Sequence, residues 1–216
     1  MLGGFAINFL VLSVVHQGTA FPLFWILLPK KGNSNTKERI ELIDQFLDIF
    51  GSHKIQYLTG DREFIGQAWF DYLIKHQIQF RLRIKKNMMI SRSNGQLSPA
   101  ETFFRSLPLS TECQLIGRRF ICGHLLWVTG MRLPSGDYLI VVSHDDSVQV
   151  INDYAKRWKI GVSSKGHMNP VGESPTEVRS SSLVAWEAPW REIKTVKPSD
   201  TMLFGSIRKT PGCNVQ

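Results

Sequence analysis

The sequence predicts an α/β protein in which a pair of strands is followed by alternating helices and strands. Three patterns support this fold class. Residues 5–28 contain two apolar runs rich in β-branched and aromatic residues. Residues 36–50 and 65–77 repeat their apolar side chains at helical spacing, and residues 79–85 alternate between apolar and polar or cationic side chains.

The composition narrows the class of protein further. The chain has 216 residues, of which 43% are hydrophobic and 20% charged, which is typical of a globular domain and excludes a disordered or collagen-like chain. A net charge of +8 favours a polyanionic partner, either nucleic acid or an anionic membrane surface. Three scattered cysteines exclude a disulfide framework and indicate a reducing compartment, the cytoplasm.

The two apolar runs of residues 5–28 predict a buried β-hairpin. The polar segment His16-Gln17-Gly18-Thr19 separates them, Pro22 follows, and no Lys or Arg precedes them. A membrane span needs about twenty uninterrupted apolar residues, and a signal peptide needs a basic start. A membrane segment remains the alternative interpretation of this region.

The next elements lead to a carboxylate at the end of a strand. Asn35, three residues before Glu38, predicts the start of a helix that ends at Gly51. The strand 55–59 then delivers Gly60 and Asp61, a helix follows over 65–77, and a strand follows over 79–85. These elements predict one α/β layer with Asp61 at its edge.

The remainder of the chain changes character twice. Residues 88–145 predict a mostly β insertion with strands Leu115–Cys122, Leu125–Leu133 and Tyr138–Ser143 and turns at Asn94-Gly95 and Ser135-Gly136. A last helix begins near Asp146-Ser147 and continues to residue 160. Residues 161–216 show no sustained period and predict an irregular tail.

Asp61 is the main candidate for chemistry. An acid at the carboxyl end of a strand lies where α/β sheets bind ligands, and with two further carboxylates it could hold two Mg²⁺ ions for phosphodiester cleavage. The alternative is a solvated or helix-capping aspartate in a turn.

Two sets of residues are candidates for contacting nucleic acid. Alternation places Arg81, Arg83 and Lys85 on one strand face, where they could follow a phosphate backbone or protect a soluble edge strand. Tyr154 and Arg157 share one face of the last helix, where they could bind phosphate or simply be a core tyrosine and a surface arginine. The predicted DNA-contacting residues are Arg62, Arg81, Arg83, Lys85, Lys86, Tyr154 and Arg157.

Three segments in this order resemble bacterial insertion-sequence transposases of the DDE class. They are Gly32-Asn33-Ser34 with Thr36-Lys37-Glu38-Arg39, then Asp61-Arg62-Glu63-Phe64-Ile65-Gly66, then Tyr154-Ala155-Lys156-Arg157-Trp158-Lys159-Ile160. The closer resemblance is to the subgroup with a Tyr–Arg–Glu–Lys signature, and it covers residues 5–160.

The resemblance implies a ribonuclease-H-like core with a β-rich insertion, and cleavage and joining of transposon-end DNA with two Mg²⁺ or Mn²⁺ ions. Asp61 matches the second catalytic aspartate and a metal ligand, whereas Tyr154 and Arg157 match the first two signature positions. It also implies a bacterial protein of the cytoplasm and nucleoid, acting as a homodimer or in association with an intact transposase.

The chain departs from the family pattern at both ends. The strand that carries the first catalytic aspartate, normally central in the sheet, is missing before the hairpin. Gly161 and Met168 stand where the signature requires Glu and Lys. We therefore expect a truncated copy, frameshifted after Ile160, with an incomplete sheet, poor solubility and negligible cleavage. The alternatives are a catalytically dead DNA-binding remnant and an unrelated metal nuclease built on Asp61 and Glu63.

Overall fold

A computed structural model describes residues 7–16, 19–30, 32–159 and 178–187. Within these ranges the protein has a mixed α/β architecture, which confirms the predicted class. The helices are α1 (Thr36–Phe50), α2 (Gln67–Lys75) and α3 (Val150–Lys159). The strands are β1 (Ile7–His16), β2 (Thr19–Leu28), β3 (Ile55–Gly60), β4 (Phe80–Arg83), β5 (Met89–Ser91), β6 (Leu97–Pro99), β7 (Glu112–Gln114), β8 (Arg119–Ile121), β9 (His124–Arg132), β10 (Tyr138–Ser143) and β11 (Val178–Glu187).

One nine-stranded sheet organises the molecule. Its order is β2-β1-β11-β3-β4-β10-β9-β7, with β8 also paired to β9, while β5 and β6 form a separate hairpin. α1 and α2 contribute Leu42, Ile43, Trp69 and Phe70 to the larger apolar core, whereas α3 packs through Val150, Ile151 and Tyr154 on Leu139 and Val141 of β10. The sheet therefore has apolar cores on both of its faces.

The predicted hairpin is confirmed as an antiparallel pair, β1 with β2. The prediction that it is buried is wrong for one side of β2, where Leu23, Trp25 and Leu27 are exposed. The reason is that α1 packs on the opposite side of β2, where Phe24 contacts Phe46 and Phe50, so that this side stays exposed. Among the described residues, no helix is long and apolar enough to cross a membrane.

The predicted helices and the strands beside Asp61 are confirmed with small shifts of their ends. α1 begins with a full capping box, in which the Asn35 side chain accepts from the Glu38 N–H and Glu38 accepts from the Asn35 N–H. β3 and β4 are parallel neighbours, and β3 ends at Gly60 immediately before Asp61. A Cβ on Gly60 would lie 2.9 Å from Leu82 Cδ2, so a larger residue here would force the buried Leu82 side chain to shift.

The β-rich segment is less separate from the core than the sequence predicts. β10 pairs with β4 and β9 pairs with β10, so both strands extend the main sheet. The predicted strand 115–122 is wrong. β7 and β8 pair with different parts of β9, and between them the chain turns at Gly117, which has a φ of +75°.

The prediction of an irregular tail is wrong for Val178–Glu187, which forms β11 between β1 and β3. β11 runs parallel to β1 and antiparallel to β3, and its Leu183 is fully buried. The sheet is therefore continuous at the place where the sequence predicted a missing central strand. Three consecutive serines, residues 180–182, obscured the strand by interrupting its apolar alternation. Gly161, Met168 and the rest of 161–216 lie outside the described residues.

Candidate functional site

Asp61 begins a tight turn at the carboxyl end of β3. Its carboxylate accepts a hydrogen bond from the Arg62 N–H at 2.8 Å, and its carbonyl accepts from the Phe64 N–H at 2.9 Å. Phe64 is fully buried and fixes the turn to the core, whereas Arg62 is exposed. The sequence Asp-Arg-Glu-Phe thus anchors the loop through its aromatic ring and leaves the charged residues at the surface.

The loop before α1 is fixed against the same turn by a buried arginine. Arg39 donates from Nε to the Ser34 hydroxyl at 2.9 Å and also donates to the Ser34 carbonyl. Its guanidinium lies over the Phe64 ring, 4.9 Å from the centroid. Because Asn33 precedes Ser34, this contact holds Asn33 beside Asp61 in one cleft.

α3 brings Tyr154 and Arg157 to Asp61. The Arg157 guanidinium lies 4.0 Å from the Asp61 carboxylate, and Arg62 lies 3.9 Å from it. Tyr154 is fully buried, and burial raises the pKa of its phenol. The charge of Asp61 raises that pKa further, while Arg157 and Arg83 oppose the shift. The structure therefore brings four of the predicted DNA-contacting residues together with the predicted catalytic aspartate. We call this group the Asp61 cluster, and its members are Asp61, Arg62, Arg83, Tyr154 and Arg157.

A cleft of about 610 Å³ opens beside this cluster. Two of the predicted cations, Arg62 and Lys85, line it together with the carboxylates of Asp61 and Glu63. Lys86 is exposed and bonds to Asp137 at 3.1 Å. The residues that line the cleft are Asn33, Asp61, Arg62, Glu63, Ile65, Lys85, Met88 and Cys122.

Arg81 lies in a different environment, under α3, and is only 4% exposed. It donates to both carboxylate oxygens of Asp145, in one case at 2.8 Å, and its Nε lies 3.5 Å from Asp153. Although the alternation of β4 is confirmed, its cationic face is covered here by α3. The guanidinium of Arg81 is thus engaged by protein carboxylates rather than presented to solvent.

Asp153 links Arg81 to two further groups. The Lys156 ammonium lies 2.9 Å from the Asp153 carboxylate and 3.5 Å from the Tyr57 hydroxyl. Burial raises the pKa of Tyr57 well above its usual range, and the hydrogen bond to Asp153 adds to that shift. We call this group the buried ion cluster because Arg81 and Asp153 at its centre are buried, whereas Asp145 and Lys156 reach the surface. Its members are Tyr57, Arg81, Asp145, Asp153 and Lys156.

The sequence patterns did not indicate most of this second cluster or two residues of the cleft. Asp153 lies four residues before Arg157 on α3, so helical spacing alone could have placed both acid and base on the face that meets the sheet. Asn33 belongs to the Gly32-Asn33-Ser34 segment that carried the resemblance, but no role was assigned to it. Cys122 follows a strand of the β-rich segment, and nothing in its local sequence indicates a cleft.

The residues around Asp61 do not fit the two metal ions that the resemblance implies. Among the described residues, no group of three or more His, Cys, Asp or Glu side chains could hold a metal ion. A divalent site needs several oxygen ligands, and here Asp61 has two guanidinium groups within 4.0 Å.

Comparison with known proteins gives one family. Among curated proteins, none matches this sequence. A family model for the transposase DDE domain matches residues 9–160, which is more than two thirds of the chain. The matched range contains almost all of β1, the strands β2 to β10 and the whole of α3, and it includes Asp61, Tyr154 and Arg157. The chain therefore belongs to the family of proteins with a transposase DDE domain.

Proposed function

We propose that this chain is a transposase-family protein that binds DNA without cutting it. Family membership implies a function in transposition and DNA as the partner. The observation that carries the proposal is that β11, the strand beside β3, has no acidic residue level with Asp61. Val184 of β11 pairs with Thr59, so Ser182 and Leu183 are the β11 residues level with Asp61 and Gly60.

No acid from β11 lies near Asp61. The single acid of this strand, Glu187, pairs with Ile55 at the opposite end of β3, six residues from Asp61. At a rise of about 3.3 Å per residue, that distance is roughly 20 Å. Two-metal cleavage needs several carboxylates that converge on one point, and the central strand supplies none of them here.

The charges near Asp61 support the same proposal. Arg157 and Arg62 lie at 4.0 and 3.9 Å from its carboxylate, and Arg83 acts on the same Tyr154 phenol. A divalent cation beside Asp61 would meet these guanidinium groups, whereas the phosphate of a DNA backbone would be attracted by them. The Mg²⁺ or Mn²⁺ chemistry of the family is therefore not assigned to this chain.

The DNA contact is proposed for the cleft and its rim. Arg62 and Lys85 line the cleft, Lys86 lies exposed next to Lys85, and Arg157 and Arg83 belong to the Asp61 cluster. Arginine and lysine contacts to phosphate position a protein on DNA and carry little sequence preference. We exclude Arg81 from this surface because its side chain is buried and its guanidinium is bonded to Asp145.

The biological context of the proposal follows from the DNA partner. The chain would act in the bacterial cytoplasm at the nucleoid, on transposon-end DNA. A protein that occupies such DNA without cutting it competes with an intact transposase, or associates with one.

Fluorescence anisotropy with a 40-base-pair duplex in EDTA tests DNA binding. We expect binding that weakens steeply with salt, because each phosphate contact releases condensed counterions. Lys85→Ala should reduce the affinity several-fold and make the salt slope shallower by about 1. Lys75→Ala is the matched control. Lys75 is an exposed lysine at the end of α2, away from the carboxyl ends of β3 and β4, and its loss should change affinity little.

A nicking assay tests the absence of cleavage. Purified protein is incubated with Mg²⁺ or Mn²⁺ and a supercoiled plasmid that carries the sequences flanking the gene, and we expect no nicked product above buffer. Nicking that disappears in Asp61→Asn would contradict the proposal. If no duplex showed salt-dependent binding, the proposed DNA binding would be contradicted.

An unrelated metal nuclease is the second candidate, because Asp61, Glu63 and Lys85 line one cleft. The nicking assay, repeated with two variants, distinguishes this nuclease from a protein that only binds DNA. A nuclease of this kind would lose activity in Glu63→Gln as well as in Asp61→Asn, and its activity would require added divalent metal.

A further inference from the structure

We propose that Arg39 is a positioning residue for DNA binding. It holds Asn33 in the cleft beside Asp61, and there the Asn33 carboxamide donates a hydrogen bond to a DNA phosphate. This role rests on the proposed function and adds an uncharged contact to it. Arg39 lies near the start of α1 and is only 5% exposed, so it does not reach DNA itself. Its effect on binding therefore depends on the residues that it contacts.

The contacts of Arg39 join the loop before α1 to the turn after β3. Its Nε donates to the Ser34 hydroxyl at 2.9 Å, and Nη2 donates to the Ser34 carbonyl. The guanidinium lies over the Phe64 ring, 4.9 Å from its centroid, and both partners are buried. The residues that precede these partners, Asn33 and Glu63, both line the cleft. Arg39 therefore sets the spacing of two parts of the cleft wall.

The charges around Arg39 favour a guanidinium at this buried position. Burial lowers the pKa of Arg39, whereas the charges of Glu63 and Glu38 act to raise it. Lysine would keep the positive charge but not the planar fork, which donates to two oxygens of Ser34 and covers the Phe64 ring. Arg39→Lys therefore removes the positioning contacts and leaves the charge in place.

The loop that contains Asn33 is anchored on both sides of this residue. On one side, the Asn8 amide of β1 donates to the Lys30 carbonyl at 2.7 Å. On the other side, Arg39 holds Ser34. Between these anchors the Asn33 side chain is exposed and lines the cleft, whose cations attract phosphate. A carboxamide has two N–H donors and no charge, so it adds affinity for phosphate without releasing a counterion.

Anisotropy titrations at several salt concentrations test this role. Asn33→Ala should weaken binding of a duplex about five-fold with an unchanged salt slope, because the lost donor is uncharged. Arg39→Lys should weaken binding by about the same factor, also with an unchanged slope. The double variant should bind no more weakly than either single variant, since both remove one contact. A loss of about 25-fold, as for two independent effects, would overturn the proposal.

Arg92→Lys is the matched control. Arg92 makes the same two kinds of contact, from Nε to the Ser98 hydroxyl at 2.6 Å and over the Phe103 ring at 5.7 Å. These residues belong to the β-rich segment and do not line the cleft. Arg92→Lys should therefore leave the affinity unchanged, with urea denaturation showing that each titrated variant is folded. An equal loss of affinity in Arg92→Lys and Arg39→Lys would overturn the positioning role.

NMR relaxation of backbone amides tests the positioning without DNA. Arg39→Lys should lower the order parameters of the Asn33 and Ser34 amides toward about 0.6, while those of α2 stay near about 0.85. Ser34→Ala removes one acceptor only and should give a smaller decrease in a fully folded protein. A loop that stays as ordered in Arg39→Lys as in the wild type would contradict the positioning alone. A wild-type chain that binds no duplex would instead contradict the proposed function, and the role of Asn33 with it.

Discussion

The two ion clusters beneath α3 differ in their charge balance. In the buried ion cluster, Arg81 and Lys156 meet the carboxylates of Asp145 and Asp153, so that cations and acids are equal in number. In the Asp61 cluster, one carboxylate lies within 4.0 Å of two guanidinium groups, and the charge of Arg83 near Tyr154 adds a third, so that two positive charges are in excess.

The difference in charge balance gives the two clusters different roles, although both involve α3. Asp153 and Arg157 lie one turn apart on α3. Asp153 lies beside Arg81 of β4, whereas Arg157 lies beside Asp61, which follows β3. A balanced and buried cluster holds the helix in place, since removing any member leaves an uncompensated charge. An unbalanced cluster beside a cleft attracts an anion from solvent, which is the property that DNA binding requires.

Both clusters depend on β3, and β11 supports β3 from its other side. Leu183 is fully buried and lies next to Val184, the partner of Thr59. Leu183→Ala should lower the free energy of unfolding by about 3.5 kcal/mol, measured by urea denaturation, because it leaves a cavity in the core. A loss below about 1 kcal/mol would mean that β11 does not hold the sheet together.

Breaking the buried ion cluster alone should have the next largest effect. Arg81→Met leaves two carboxylates under α3 without their common partner and should cost about 3 kcal/mol in urea denaturation. Lys86→Met is the control, since it breaks an exposed ion pair with Asp137 and should cost less than about 0.5 kcal/mol. Equal losses for the two variants would remove the distinction between a buried and a surface pair.

The elements around Asp61 could be predicted because their signals are local. The capping box at Asn35 and Glu38 fixes the start of α1, and the alternation of residues 80–83 defines β4. The same alternation could not reveal that Arg81 is covered. Which face of β4 carries a helix depends on α3, about seventy residues later in the chain.

The central strand could not be predicted for a related reason. β11 pairs with β1 over nine positions, but the two strands are separated by more than 160 residues in the sequence. Its serines remove the apolar period that a local search uses, and long-range pairing supplies the missing stabilisation. Family resemblance pointed to Asp61, Tyr154 and Arg157, whose roles stay predictions. The structure brings these residues together, but a signature contains no information about their charge balance.

Opposite substitutions in the Asp61 cluster should move DNA affinity in opposite directions. Arg157→Ala removes one positive charge and should weaken binding of a duplex about five-fold at low salt, with a shallower salt slope. Asp61→Asn removes the negative charge and should strengthen binding in EDTA. Anisotropy titrations of both variants measure this. Weaker binding in Asp61→Asn would contradict the charge-excess explanation.

The smallest predicted effect is a difference in the pH dependence of stability between variants of one tyrosine from each cluster. Burial raises the pKa of Tyr57 and of Tyr154. At Tyr57 the largest effect of a neighbouring charge is that of Asp153, which raises the pKa against Arg81, whereas at Tyr154 it is that of Arg157, which lowers the pKa against Asp61. A tyrosine with a raised folded-state pKa is neutral in the folded protein, while the unfolded chain ionises near pH 10. The contribution of each tyrosine to the free energy of unfolding is therefore fully present below pH 10. It decreases as the pH rises above 10, by at most about 1.4 kcal/mol per pH unit. Tyr57→Phe should flatten the fall between pH 10 and 11 more than Tyr154→Phe does, as measured by urea denaturation at each pH. A larger flattening in Tyr154→Phe would mean that burial alone, and not the sign of the neighbouring charges, distinguishes the two clusters.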